Sequence, residues 1–185
     1  MYEAEDRQVI KSIPQDQLDQ VVNRRLGVRG TGKLDSGNPL DLTKSFTYGS
    51  SIEMPKYIKL PGPGAMPQPS GVGRFNGTMA QFVQAMSQPT RAMNMVCPAP
   101  GKRAEYARFK LPTGLKVTSL PRAVKQDSRF GGYVSTYEQQ GDVIVSTRTL
   151  TLDYPGPICS PDDYKELRDL ASAMRQDSMS PILYE

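Results

Sequence analysis

Residues 133–154 read YVSTYEQQGDVIVSTRTLTLDY, and the fold class rests on how this stretch pairs with itself. In its first half Tyr133, Ser135 and Tyr137 alternate with Val134 and Thr136. In its second half Val143, Val145, Thr147, Thr149 and Thr151 alternate with Ile144, Ser146, Arg148, Leu150 and Leu152. β-branched and aromatic residues at period two suit a pleated, half-buried strand. Gln140-Gly141-Asp142 breaks the pattern, and Gly141 supplies the positive φ a tight hairpin turn demands. The second arm is long enough for its far end to pair with another segment as well.

A helix should follow the hairpin. Tyr154-Pro155-Gly156-Pro157 stops the strand, and Ser160-Pro161-Asp162-Asp163 is a helix start with Ser as N-cap, Pro at the first position and two acids at the positive end. Tyr164, Leu167, Leu170, Ala171 and Met174 then fall on one face, predicting a helix over about 161–177 that packs on the sheet. The tail, with Ile182, Leu183 and Tyr184, is suited to an edge strand.

Upstream the signals are shorter. Ser12 and Pro14 suggest the start of a helix reaching Leu26, with Leu18, Val21, Val22 and Arg25 as a stripe and Gly27 as C-cap. Tyr2–Lys11 reads as a short helix or a frayed end. Phe46–Leu60 has strand character, limited by Pro55 to an edge or a break. The proline- and glycine-rich run 61–73 predicts a linker or surface crossing without regular structure. Met79, Phe82, Val83 and Met86 predict a core-facing helix over 78–87, with a strand as the alternative. Ala92–Cys97 and Ala104–Leu111 read as a strand pair, Lys116–Leu120 as a short strand, and 123–129 as a polar connection. Together these predict an α+β fold, an antiparallel β-sheet in a sandwich-like arrangement packed with a C-terminal helix, plus an N-terminal helix. The expected division is 1–45, an N-terminal helix and Gly-rich connecting segment, and 46–185, the β-rich domain.

Composition narrows the chemistry. The chain has 185 residues, 23 basic and 19 acidic, and no histidine, which removes Ser-His-Asp and Cys-His catalysis and the usual zinc ligand sets. Sixteen prolines, 16 glycines and an apolar fraction of 37% suit long loops, a β-rich class or a piece of a larger protein. No apolar run approaches the length of a membrane span. The polar, acidic start MYEAEDRQVI does not read as a signal peptide. The basic residues are scattered, and the nearest cluster, Arg24, Arg25, Arg29 and Lys33, reads as a solvated face without interleaved aromatics, so no nucleic-acid partner is expected. Gly27-x-x-x-x-Gly32-Lys33 matches most of a phosphate-binding loop, but Leu34 stands where Ser or Thr must hold magnesium, and helix-breaking residues follow. No cofactor and no metal are expected. Asp162 and Asp163 are explained by helix-end electrostatics rather than by acid–base chemistry. Cys97 and Cys159 are either buried small hydrophobes or, in an oxidising compartment, a disulfide.

The order of short motifs carries a family resemblance. In the second half stand Glu105-Tyr106, Leu111-Pro112-x-Gly114, Leu120-Pro121, Tyr133 to Tyr137, Gly141, Val143 to Arg148, Cys159-x-Pro161-x-x-Tyr164 and Asp177. In the first stand Gly30-x-Gly32, Asn38-Pro39-Leu40-Asp41-Leu42, Phe46 and Leu60-Pro61-Gly62-Pro63-Gly64-Ala65-Met66. This order resembles the carboxy-terminal, strand-rich region that follows the transglutaminase-like core in large bacterial proteins of uncharacterised function. The resemblance implies that the catalytic Cys, His and Asp belong to a core absent from this chain, and that neither Cys97 nor Cys159 is a nucleophile. It also implies a fragment or truncated relative, a periplasmic or extracytoplasmic setting, and with it a Cys97–Cys159 bond.

The expected function is therefore a non-catalytic accessory module. It would support a transglutaminase-like catalytic domain in cis or trans, or bind a protein or cell-envelope target. Tyr133, Tyr137 and Arg148, read as exposed on the sheet, are the candidate binding residues, against the plainer reading of cross-strand pairing. The competing reading is a stand-alone hydrolase or transferase using a Cys or a carboxylate.

Overall fold

The structure, a computed structural model, describes residues 2–20, 23, 31–54, 57–58, 62–68 and 79–185. The chain divides into two compact units, one of residues 1–59 with 70–78 and one of residues 60–69 with 79–185.

In the first unit, helix α1 (Tyr2–Ser12) and a 3-10 turn (Gln15–Gln17) accompany an antiparallel hairpin of β1 (Thr31–Ser36) and β2 (Tyr48–Glu53). Ile10 is its buried centre, packed by Val9, Ile13, Leu34, Phe46, Tyr48 and Ile52. Arg7 is also buried, and its guanidinium organises the loop between the strands. It donates to the carbonyls of Asp41 (2.7 Å) and Lys44 (2.6 Å), pairs with Glu3 (2.7 Å) and lies 4.9 Å from the Phe46 ring centroid. The expected boundary after residue 45 falls inside this unit, because β1 and β2 pair across it. The expected helix from Pro14 to Leu26 begins instead as a 3-10 turn after Pro14, with residues 18–20 helical. Residues 21, 22 and 24–26 lie outside the described residues, as do Gly27 and the three arginines of the basic cluster. Ser12 does not cap a following helix: its hydroxyl donates back to the Val9 carbonyl, 2.8 Å away, at the end of α1.

The second unit is built on the hairpin. β8 (Gly131–Gln140) and β9 (Val143–Leu152) pair antiparallel over their full lengths, and Gly141 has φ +64° at the turn. The far side of β9 pairs over ten residues with β5 (Gly101–Lys110), and β7 (Val124–Ser128) flanks β8, giving the order β5-β9-β8-β7. Gly131 is irreplaceable in this register: its φ is +125° and a Cβ there would sit 2.1 Å from the Thr151 carbonyl oxygen. β5 does not pair with Met95–Val96 as the sequence suggests. That segment (β4) is only two residues long and joins β10 (Ile158–Cys159), while β9 offers β5 a partner of equal length. The polar run at 123–129 proves to be an edge strand, a position that tolerates hydrophilic residues because one flank faces solvent.

The inner face of the sheet is covered by helices. Helix α3 (Pro161–Met179) buries Tyr164, Leu167, Leu170, Ala171 and Met174 against Tyr133, Leu150 and Leu152. Helix α2 (Met79–Ala85) adds Met79 and Phe82, and Met86 follows. Each buried aliphatic or aromatic side chain contributes about 1.5–3 kcal/mol, so the stripe outweighs intrinsic propensity in fixing α3. Ser160 caps it as anticipated: Ser160 Oγ accepts from Asp163 N–H (3.3 Å), and Asp163 Oδ2 accepts from Ser160 N–H (2.7 Å). A small sheet of order β3-β11-β6 combines Gly64–Met66, Ile182–Tyr184 and Val117–Ser119. Two expectations change here. The tail strand is central rather than at an edge, and part of the proline-glycine run forms β3, where Gly64 lets the Tyr184 hydroxyl approach to 2.5 Å of where a Cβ would stand.

Candidate functional site

Polar side chains converge at the C-terminal end of α3, around Asp177. This carboxylate is 2% exposed, so its charge must be satisfied within the protein. The helix periodicity that buries Leu170 and Met174 also turns position 177 inward. β8 projects Tyr133 and Tyr137, four residues apart, onto the same face. Tyr133 donates to Asp177 Oδ2 at 2.5 Å. The Tyr137 hydroxyl lies 2.8 and 2.9 Å from the two carboxylate oxygens. From β9, Arg148 places Nε 3.4 Å from Asp177 Oδ2 and 3.3 Å from the Tyr137 hydroxyl, while Nη1 is 3.8 Å from Glu105 Oε2 on β5. Gln68, just past β3, donates through Nε2 to the carbonyls of Asp177 and Ser180, each at 2.9 Å. Its Oε1 lies 2.9 Å from the Tyr137 hydroxyl.

Two tyrosine donors and one guanidinium thus stabilise the buried carboxylate, and the amide ties the last carbonyls of the helix to the neighbouring small sheet. Electrostatics follow from burial. Desolvation pushes the Tyr133 hydroxyl far above its ordinary range, and the adjacent Asp177 charge pushes it further. Desolvation likewise raises Tyr137, with Arg148 opposing. Burial works against the Arg148 charge, but Tyr137, Tyr133 and Asp177 outweigh it and leave the guanidinium more firmly protonated. Glu105 is raised by burial, and Arg148 offsets part of that. The two tyrosines and the arginine are thus held in their resting protonation states, which suits a clasp more than proton transfer.

The structure brings Tyr133, Tyr137 and Arg148 together, but not as a surface. Tyr133 is 1% exposed, and Tyr137 and Arg148 are half-buried. They face inward because the alternation that puts Leu150 and Leu152 in the core puts these residues on the same face. In the sequence the central carboxylate stands only as the last position of the motif order that carries the family resemblance, with no role attached to it. Only its place at heptad spacing from Leu170 on the apolar stripe could have marked it as buried.

Cys97 and Cys159 form a disulfide that closes a 62-residue separation and staples β4 to β10, with Cα atoms 5.1 Å apart. Beside it a depression of about 310 Å³ is walled by Phe130, Tyr154 and Ile158. The Phe130 and Tyr154 rings lie 5.2 Å apart, Arg129 sits 4.8 Å over Phe130, and Arg129 is ion-paired with Asp163. The buried Tyr154 hydroxyl has no hydrogen-bond partner among the described residues, and burial pushes it up to about 12. Gly32 and Lys33 lie within strand β1, which leads into a turn rather than a helix. Among the described residues there is no group of His, Cys, Asp and Glu side chains that could hold a metal ion, and no helix is long and apolar enough to cross a membrane.

No curated protein matches the chain. Among solved structures, it is similar to a crystal structure, at 2.00 Å resolution, described as a "putative protease" from Parabacteroides distasonis ATCC 8503. The identity is 18%, over 55% of this chain, with a TM-score of 0.47. The matched region spans only 20% of that protein's length. Residues 75–184 match the family model of DUF3858, described as a domain of unknown function with a solved structure, and the chain belongs to that family.

Proposed function

We propose that this chain is a non-catalytic accessory module, which supports a transglutaminase-like enzyme or binds a protein or cell-envelope target. The observation that carries this reading is the closure of the Asp177 cluster. The two tyrosines, Arg148 and Asp177 spend their hydrogen bonds internally, between α3, β8, β9 and Gln68. The absence of any histidine and the engagement of both cysteines in one bond favour the same reading. A structural disulfide also suits the oxidising, extracytoplasmic setting that the family resemblance implies.

The test is turnover by the purified chain. Transamidation is followed with a glutamine-bearing protein and a fluorescent amine, and hydrolysis with a fluorogenic protein substrate. Neither rate should exceed the protein-free blank. Turnover that disappears in Asp177→Asn, or on removal of Cys97 and Cys159, would establish instead a hydrolase or transferase working through a carboxylate or a thiol.

A further inference from the structure

The edge of the main sheet formed by β5 is built to accept another strand. Leu111 N–H donates to the Asp142 carbonyl at 2.8 Å, which fixes the phase of the β5–β9 ladder. Odd-numbered residues of β5 therefore turn their backbone groups to β9, and Lys102, Ala104, Tyr106, Arg108 and Lys110 turn theirs outward. Among the described residues no strand pairs with that outer side. The five outward residues are all exposed, Tyr106 by 63%. The edge runs for ten residues, about 33 Å, with unbroken register and no proline.

Proteins usually blunt such an edge by shortening it, bulging it, inserting proline or charging it. Only the last device is present, and it has one sign. Lys102, Arg108 and Lys110 share the exposed face, whereas the strand's lone acid, Glu105, turns to the inner face beside Arg148. Among the described residues none of the three cations is ion-paired. Antiparallel pairing of two copies about Tyr106 would set Lys102 against Lys110, which like-charge repulsion opposes. Outward donors and acceptors that recur at every second residue match the backbone of a polypeptide strand, whereas the phosphate backbone of a nucleic acid has no donors to meet the acceptors.

We propose that β5 captures an extended acidic segment of a partner protein as an added antiparallel strand, with the carboxylates of every second residue on the exposed face beside Lys102, Arg108 and Lys110. This deepens the accessory-module reading. Its test measures binding rather than turnover, so the two can fail separately.

The probe is a capped peptide of alternating glutamate and valine, matched to β5 in length and followed by fluorescence anisotropy and amide exchange. The expected result is saturable binding that protects the amides of Lys102, Ala104, Tyr106, Arg108 and Lys110. Ala104→Pro removes an outward N–H that the fold does not use, and should weaken binding by about tenfold or more. Should that variant not fold, a peptide N-methylated along its docking edge puts the same question to the native chain and should also fail to bind. Combined Lys102→Glu, Arg108→Glu and Lys110→Glu should transfer preference to a lysine-valine peptide. The proposal is overturned by an absence of saturable binding, by binding indifferent to proline or N-methylation, by displacement with a single-stranded oligonucleotide, or by dimerisation of the chain through β5.

Discussion

Replacing Tyr133 with phenylalanine tests the Asp177 clasp with little change of shape. The lost group is one hydroxyl, 2.5 Å from a carboxylate oxygen that has almost no access to water. A hydrogen bond to a buried charge contributes about 1.5–3 kcal/mol, so Tyr133→Phe should destabilise the second unit by that amount. With about 4 °C of midpoint per kcal/mol for a unit of this size, Tm should fall by about 6–12 °C. Asp177→Asn should cost more, about 3–5 kcal/mol, because it leaves Arg148 half-buried beside a neutral group and both tyrosine donors without their charged acceptor. The two changes touch one network, so the double variant should be less destabilised than the sum by about 1 kcal/mol or more. Thermal and urea unfolding followed by near-ultraviolet tyrosine dichroism would report all three. A Tm change under about 2 °C for either variant, or strict additivity, would refute the view that this cluster holds α3 to the sheet.

Three further outcomes are expected. Replacing Cys97 and Cys159 together by alanine should cost about 4 kcal/mol through the entropy of opening a loop of this length, and urea midpoints at equal m-value would read it. Tyr133, Tyr137 and Tyr154 are all raised by burial, so the folded state keeps them neutral while the unfolded chain ionises near pH 10; their stabilisation is complete below that pH and declines as pH rises above it. Tm measured from pH 8 to 12 should therefore drop steeply at the alkaline end, and less steeply in Tyr133→Phe. Asp6 is pushed up to about 6, first by burial and then by Glu5, and its Oδ1 is buried without a hydrogen bond among the described residues. Its contribution is intact below pH 4 and lost as pH rises through 6, so Asp6→Asn should raise the stability of the first unit by about 1–2 kcal/mol at pH 8 and by nothing at pH 3.5, measured by urea unfolding at both.

The hairpin, its turn and the capped helix were legible in the sequence because their causes are local. Period-two alternation, one glycine at positive φ and a Ser-Pro-Asp-Asp start act within a few residues of chain. Partner choice was not legible. β5 reads alike whether it faces Met95–Val96 or β9, and only length matching across the sheet decides. The tail reads as an edge strand because its sequence says nothing of the two short strands, Gly64–Met66 and Val117–Ser119, that sandwich it.

The candidate site divides in the same way. Tyr133, Tyr137 and Arg148 stood out for their chemistry, but which face of the hairpin looks inward depends on a helix that begins only after the strands end. By itself the chain determined its long hairpin, its capped C-terminal helix and the residue types it lacks, since propensity, capping and composition are properties of neighbouring residues. Tertiary structure alone decided that a carboxylate at position 177 would be buried among two tyrosines and an arginine, and that β5 would be left with an open flank. Both depend on contacts between residues far apart in sequence, whose register is set by the packing of the whole sheet against α3.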